Sequence, residues 1–140
     1  MPTYDDQNIF AKILRGEIPA TRAYEDEHVV AFMDVMPQGK GHTLVVPKAP
    51  SRNLLDADAA TLGPLLAAVQ RIARAVKTAF EADGVTVIQF NEPAAGQSVF
   101  HLHFHVIPRF DGVPLKPHTG DMEDARLLQV HADKIKAALE

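Results

Sequence analysis

Residues 101–105 read His-Leu-His-Phe-His, three imidazoles at period two inside the apolar run from Val99 to Ile107. Period two is the spacing of a β-strand, whose alternate side chains share a face. His101, His103 and His105 would then stand in a row about 6.5–7 Å apart. Val99, Leu102, Phe104, Val106 and Ile107 supply apolar packing, mostly on the opposite face. Imidazoles in such a setting are costly unless they bind or react with something, so the pattern points to an enzyme. A metal site is one reading, because imidazole is a common zinc ligand. Against it, three histidines in sequence on one strand do not readily converge on one ion, and no neighbouring carboxylate offers second-shell support. Direct imidazole chemistry, as nucleophile or as general acid and base, is the stronger reading. The preceding segment favours it: Gly96 allows close backbone approach, Gln97 offers an amide, and Ser98 a hydroxyl and an N–H. These are groups an anionic phosphoryl substrate needs.

The elements that must position this strand alternate between helix and strand without repeats. Asp6 can cap a short helix with Ile9, Phe10, Ile13 and Leu14 on one stripe and Gly16 as its stop. An extended stretch follows from Pro19. Ala23–Glu25 and Val29–Asp34 read as a hairpin turning at Asp26–Glu27, and His42–Val46 as a third strand. A long helix over Ala59–Ala82 carries Leu62, Leu65, Leu66, Val69, Ile72, Ala73, Val76 and Phe80 at helical spacing. Pro64 fits only its first turn. Val85–Phe90 follows as a strand, and Asn91 to Gly96 as a loop. Asp111–Gly120 reads as a surface connection. Asp121–Leu139 reads as a terminal helix with Met122, Ala125, Leu128, Ala132, Ile135 and Leu139 inward. On local chemistry alone, Asp34 is a turn residue near Pro37, His42 an ordinary strand-start histidine, and Phe10, Ile13, Ile18 and Phe32 are core. His28, His118 and His131 join no constellation and read as surface residues.

Composition sets the outer bounds. The 140 residues are 46% hydrophobic and 23% charged, ordinary for one globular domain spanning 1–140. A net charge of −4 gives no basic field for nucleic acid or an anionic membrane. With no cysteine, disulfides, thiolate metal sites and cysteine nucleophiles are excluded. The N-terminus shows no signal-peptide pattern and no run reaches transmembrane length, so the expected location is cytoplasmic.

Gly96-Gln97-Ser98-Val99-Phe100-His101-Leu102-His103-Phe104-His105-Val106 resembles the signature of the histidine triad superfamily. The likeness continues upstream through Asn8–Ile13, Gly16–Ala20, Ala31–Asp34, Pro37-Gln38 with His42–Lys48, and Asn91-Glu92. It spans about residues 8–110 and leaves 111–140 as an extension with a helix. The resemblance implies an α+β fold: an antiparallel sheet of about five strands with one long helix and short terminal helices. It also implies a homodimer and a nucleotide hydrolase acting at the α-phosphorus of purine nucleoside phosphoramidates through a nucleotidyl-histidine, with an AMP-like product. Dinucleoside polyphosphates are the alternative substrate, and a nonenzymatic purine-nucleotide-binding module the alternative role.

Carried onto this sequence, the resemblance makes His103 the nucleophile. His105 contacts phosphate oxygens and assists the leaving group, the carbonyl of His101 orients the His103 ring, and His42 completes the cluster. Asn91, Gln97 and Ser98 hold the phosphate, Asp34 accepts the ribose hydroxyls, and Phe10, Ile13, Ile18 and Phe32 form the slot for the base. Many bacterial relatives carry a structural zinc on a cysteine pair and two histidines. Here Asn8, Ala11 and Pro50 stand at three of those positions and only His101 remains. No zinc and no other cofactor is therefore expected.

Overall fold

A computed structural model describes residues 2–118 and 121–139. Two residues of the expected surface connection, 119 and 120, lie outside the described residues. Five strands, β1 (Arg22–Glu25), β2 (Val29–Met33), β3 (Thr43–Pro47), β4 (Gly84–Ile88) and β5 (Phe104–Arg109), form one sheet in the order β1-β2-β3-β5-β4. Every neighbouring pair is antiparallel. Three helices, α1 (Ile9–Leu14), α2 (Ala59–Ala79) and α3 (Ala125–Ala138), cover it. This is the α+β architecture the sequence led us to expect.

Strands β2 and β3 are buried on both faces, and their alternation divides two cores. Val29, Ala31 and Met33 of β2 and Val45 of β3 pack with Leu65, Val69 and Ile72 of α2 and with Leu128 and Ile135 of α3. The intervening Val30, Phe32, Leu44 and Val46 pack on the other face with Phe10 and Ile13 of α1. Burying each such side chain contributes roughly 1.5–3 kcal/mol. Leu65, Val69, Ile72 and Val76 of α2 are thus core, while Leu66 stays exposed.

Several ends differ from expectation for local reasons. Asn8, not Asp6, caps α1, accepting the Ala11 N–H at 2.9 Å. Asp58 and Asp124 cap α2 and α3 in the same way, and α3 starts four residues later than read from the sequence. Met122 and Ala125 consequently face solvent, while His131, read as a surface residue, is buried edge-on against Phe80. Pro64 sits in the second turn of α2 rather than the first, so the Ala60 carbonyl has no N–H opposite it. Gly41 adopts φ +80° with Phe80 so close that a Cβ would meet its ring at 2.6 Å. That packing fixes the turn immediately before His42.

The triad segment is the main departure. Only His105 lies in the ladder; β5 begins at Phe104, and His101 and His103 precede it. Continuing the β3–β5 register from Val45 opposite Phe104 sets Pro47 opposite Leu102. Pro47 has no N–H to offer the Leu102 carbonyl, and its own carbonyl is taken by His101 Nε2. The Leu102 N–H turns instead to the Ser51 carbonyl at 2.9 Å.

Candidate active site

Strand alternation gathers the site on the α1 face of the sheet. His105 stands in register between Leu44 and Ile88, and Leu44 belongs to the α1-side core. Two residues back from Leu44, His42 follows the same parity, as Asp34 follows Phe32. The Asp34 N–H donates to the His42 carbonyl at 3.0 Å, which brings the two strand ends together. Phe10 of α1 sets its ring edge-on to His103, 4.8 Å between centroids, and touches Phe32 at 5.4 Å. Phe10, Ile13 and Phe32 are buried and Ile18 half-buried in this cluster, so they form a packed apolar floor beneath the histidines.

Hydrogen bonds fix which nitrogen of each ring carries the proton. The Gln38 backbone N–H donates to His42 Nδ1 at 3.0 Å. The proton of a neutral His42 ring is therefore on Nε2, which faces His105 Nδ1 at 2.9 Å. His105 accepts there and carries its own proton on Nε2. His103 Nδ1 lies 2.7 Å from the His101 carbonyl and can only donate to it. His103 Nε2 is left with a free lone pair. His101 donates from Nε2 to the Pro47 carbonyl at 2.8 Å and accepts at Nδ1 from the Tyr4 hydroxyl at 2.6 Å.

Burial keeps these rings neutral. Desolvation, with the neighbouring histidines adding, pushes His42 and His105 down to about 3. Desolvation likewise lowers His101 and His103, against the raising effect of the carbonyls they donate to. The 3.4 Å approach of His42 Nε2 to Asp34 is consequently no ion pair; its proton is directed to His105.

The loop before the triad is braced from within. Gln97 donates to the carbonyls of Arg52 (2.7 Å) and Val99 (3.0 Å). Its oxygen accepts from Asn53 Nδ2 (3.0 Å) and the Glu92 N–H (2.7 Å). Every position on its amide is used, so the Gln97 side chain supports the loop instead of reaching out to a phosphate. Glu92 holds φ +76°, a strained conformation for a residue with a Cβ. Arg52 secures its carboxylate by two bonds of 2.8 and 3.0 Å, and Asn53 by one of 2.6 Å. Asn91 accepts from the Leu54 N–H at 3.0 Å and pairs with Gln89, while Ser98 is exposed at the loop's edge.

Sequence reasoning missed four contributors. Tyr4 and Asn53 act through side-chain bonds to distant partners, and Gln38 through its backbone. The fourth is His118, read as a surface residue. Its Nε2 lies 2.9 and 3.1 Å from the two Asp34 oxygens, with ring centroids 5.9 Å from His42 and 6.2 Å from His105. No local spacing announces it; a histidine near Pro117 was the only signal.

Asp34, His42 and His105 bring ligand atoms within 4.8 Å of one another. The tautomers oppose a metal there: His42 Nε2 is protonated because Nδ1 accepts the Gln38 N–H, and a ligating nitrogen needs its lone pair. The second donor set, around His101, fits zinc no better. Both His101 nitrogens are engaged by Tyr4 and Pro47, Asn8 caps α1, Ala11 is buried and Pro50 has no donor side chain.

The HIT domain profile matches residues 15–112. A Hit-like protein involved in cell-cycle regulation from Bartonella henselae, crystallised with an unknown ligand, is 57% identical with a TM-score of 0.94, covering 98% of this chain and 99% of its own. A hypothetical histidine triad nucleotide-binding protein from Sulfolobus tokodaii is 31% identical at a TM-score of 0.85, with 93% and 90% covered. A zinc-bound histidine triad family protein from Mycobacterium smegmatis is 36% identical at 0.81, with 95% and 93% covered. With sheet order, triad and profile in agreement, the chain belongs to the HIT domain family.

Proposed function

We propose that this protein hydrolyses purine nucleoside phosphoramidates through a covalent nucleotidyl-histidine. The observation that carries the reading is the tautomer of His103, whose Nδ1–H is held by the His101 carbonyl at 2.7 Å. Nε2 is thereby free to attack the α-phosphorus. As the N–P bond forms, positive charge spreads onto Nδ1–H, where that carbonyl stabilises it. The P–N bond to the leaving amine breaks, and the amine takes a proton relayed from solvent through His105. Water then attacks phosphorus, releases His103 and returns a proton by the same route. His105 Nε2–H, set by the relay from Gln38 through His42, donates to the phosphoryl oxygens. Asp34 accepts the ribose hydroxyls, the base lies along Phe10, Ile13, Ile18 and Phe32, and Ser98 and Asn91 border the phosphate.

Turnover of an adenosine phosphoramidate and of diadenosine tetraphosphate, measured side by side, tests the reading. Wild type is expected to prefer the phosphoramidate, and His103→Ala to lose turnover at least 1,000-fold while still binding AMP. A well-folded wild type that binds AMP and turns over neither compound would instead support the binding-module role.

Pairing of two copies along α2 and β4 belongs to the same reading. Leu66 and Val87 support it, 61% and 44% exposed on those elements. Light scattering at micromolar concentration should give twice the chain mass, and a monomer mass would end the dimer proposal. Among the described residues no helix is long and apolar enough to cross a membrane.

A further inference from the structure

Residues 116–118 form a strap beside Asp34, His42 and His105. Beyond β5 the chain returns across the ends of β2 and β3, anchored on both sides of His118. The Lys116 N–H donates to the Gln38 carbonyl at 2.7 Å and the Glu123 N–H to the Val35 carbonyl at 2.8 Å. The Gln38 amide adds a bond to the Lys116 carbonyl at 3.3 Å. Between these anchors His118 reaches down to Asp34. The Asp34 carboxylate is 4% exposed as a residue and has both oxygens occupied, by the Met36 N–H at 2.8 Å and by His118 Nε2. His103 and His105 are each 8% exposed.

We infer that His118 is the resident competitor for the carboxylate that binds the sugar, and that a nucleotide enters by displacing its imidazole from Asp34. The inference rests on the nucleotide reading above. A ribose diol brings two O–H donors to the two oxygens that His118 Nε2 now spans at 2.9 and 3.1 Å, and the two occupants exclude each other. His118 can withdraw without unfolding the strap. Its side chain is 34% exposed, and the Lys116 and Glu123 anchors are backbone bonds that a side-chain rotation leaves intact. The Lys116 anchor also holds Gln38, whose N–H sets the His42 tautomer, so the relay persists while the sugar subsite opens. His118 thus makes entry depend on the ligand: a molecule that uses Asp34 must displace it, and one that uses only the phosphate groups need not.

Competition predicts that removing the imidazole tightens nucleotide binding. His118→Ala should lower the AMP dissociation constant about 3–10-fold in calorimetric titrations of the full chain. It should leave the dissociation constant of inorganic phosphate, which lacks a sugar, unchanged. His118→Gln, which keeps an N–H donor for Asp34, should bind AMP as wild type does. Weaker AMP binding by His118→Ala would make His118 a ligand contact and overturn the inference. Equal tightening of AMP and phosphate would make it a simple steric cover, and also overturn it. A folded wild type with no AMP binding at millimolar concentration would remove the nucleotide reading itself, a result distinct from either.

Discussion

At the scale of single residues, each site side chain is defined by what its second atom touches. His103 is a nucleophile candidate because His101 holds its other nitrogen, and His105 a donor because His42 holds its own. Period two in the sequence identified the imidazoles, and the resemblance supplied Asp34, His42 and the His101 carbonyl as the partner of the His103 ring, but neither could assign the tautomers of His42 and His105. Two of the residues that escaped notice, Tyr4 and His118, lie 97 and 84 positions from the groups they touch, and no local pattern encodes such a meeting. Gln97 shows the converse, a polar residue beside the triad that proves to be a brace. Gln97→Ala strands the Glu92 N–H, one N–H of Asn53 and two carbonyls, so it should lower unfolding stability by about 2–4 kcal/mol and reduce turnover with it. Ser98→Ala, at an exposed position, should stay within about 0.5 kcal/mol of wild type in the same urea titration. Equal stability for the two variants would show that the Gln97 network does not hold the loop.

At the scale of elements, type was legible and boundary was not. The apolar stripe of α2 and the runs of β2 and β3 announce themselves by periodicity, because burial of one helix face or of both sheet faces leaves a repeating pattern. Ends are set by competition for a few hydrogen bonds. Asn8 outcompetes Asp6 for the α1 cap because its oxygen meets the Ala11 N–H, and both residue types cap well. The triad segment is the instructive case. Its alternation is that of a strand, yet pairing stops at Phe104; the same register would set Pro47 opposite Leu102, and the Pro47 carbonyl is taken by the His101 side chain. The same proline that ends the ladder thus lets His101 turn away from it and lend its own carbonyl to His103. Departure from regular strand is what gives His103 its partner.

At the scale of the whole molecule, the site is closed from three directions. The sheet supplies His42, His105 and Asp34, the N-terminal segment brings Tyr4 and Phe10, and the C-terminal strap brings His118. This enclosure desolvates the histidines, and desolvation links stability to pH. In an unfolded chain a histidine titrates near its ordinary 6.5, whereas folded His42 and His105 titrate at about 3. Below 6.5 the unfolded state therefore binds protons that the folded state refuses. The stabilising contribution is complete above that pH and is lost as pH falls toward about 3. At pH 5 each of the two rings should already have cost about 2 kcal/mol, and the lowered values of His101 and His103 act in the same direction. Carboxylates held low by pairing, such as Glu25 beside Lys48 and Arg22, join only once pH nears the ordinary 4.5. Unfolding free energy measured in urea should thus fall by several kcal/mol between pH 7.5 and 5. His42→Gln offers an acceptor and a donor at nearly the same spacing but has no proton to take up, so its fall should be smaller by about 2 kcal/mol. An unchanged fall in that variant would mean that His42 is not held neutral by its enclosure, and the relay from Gln38 to His105 would lose its physical basis.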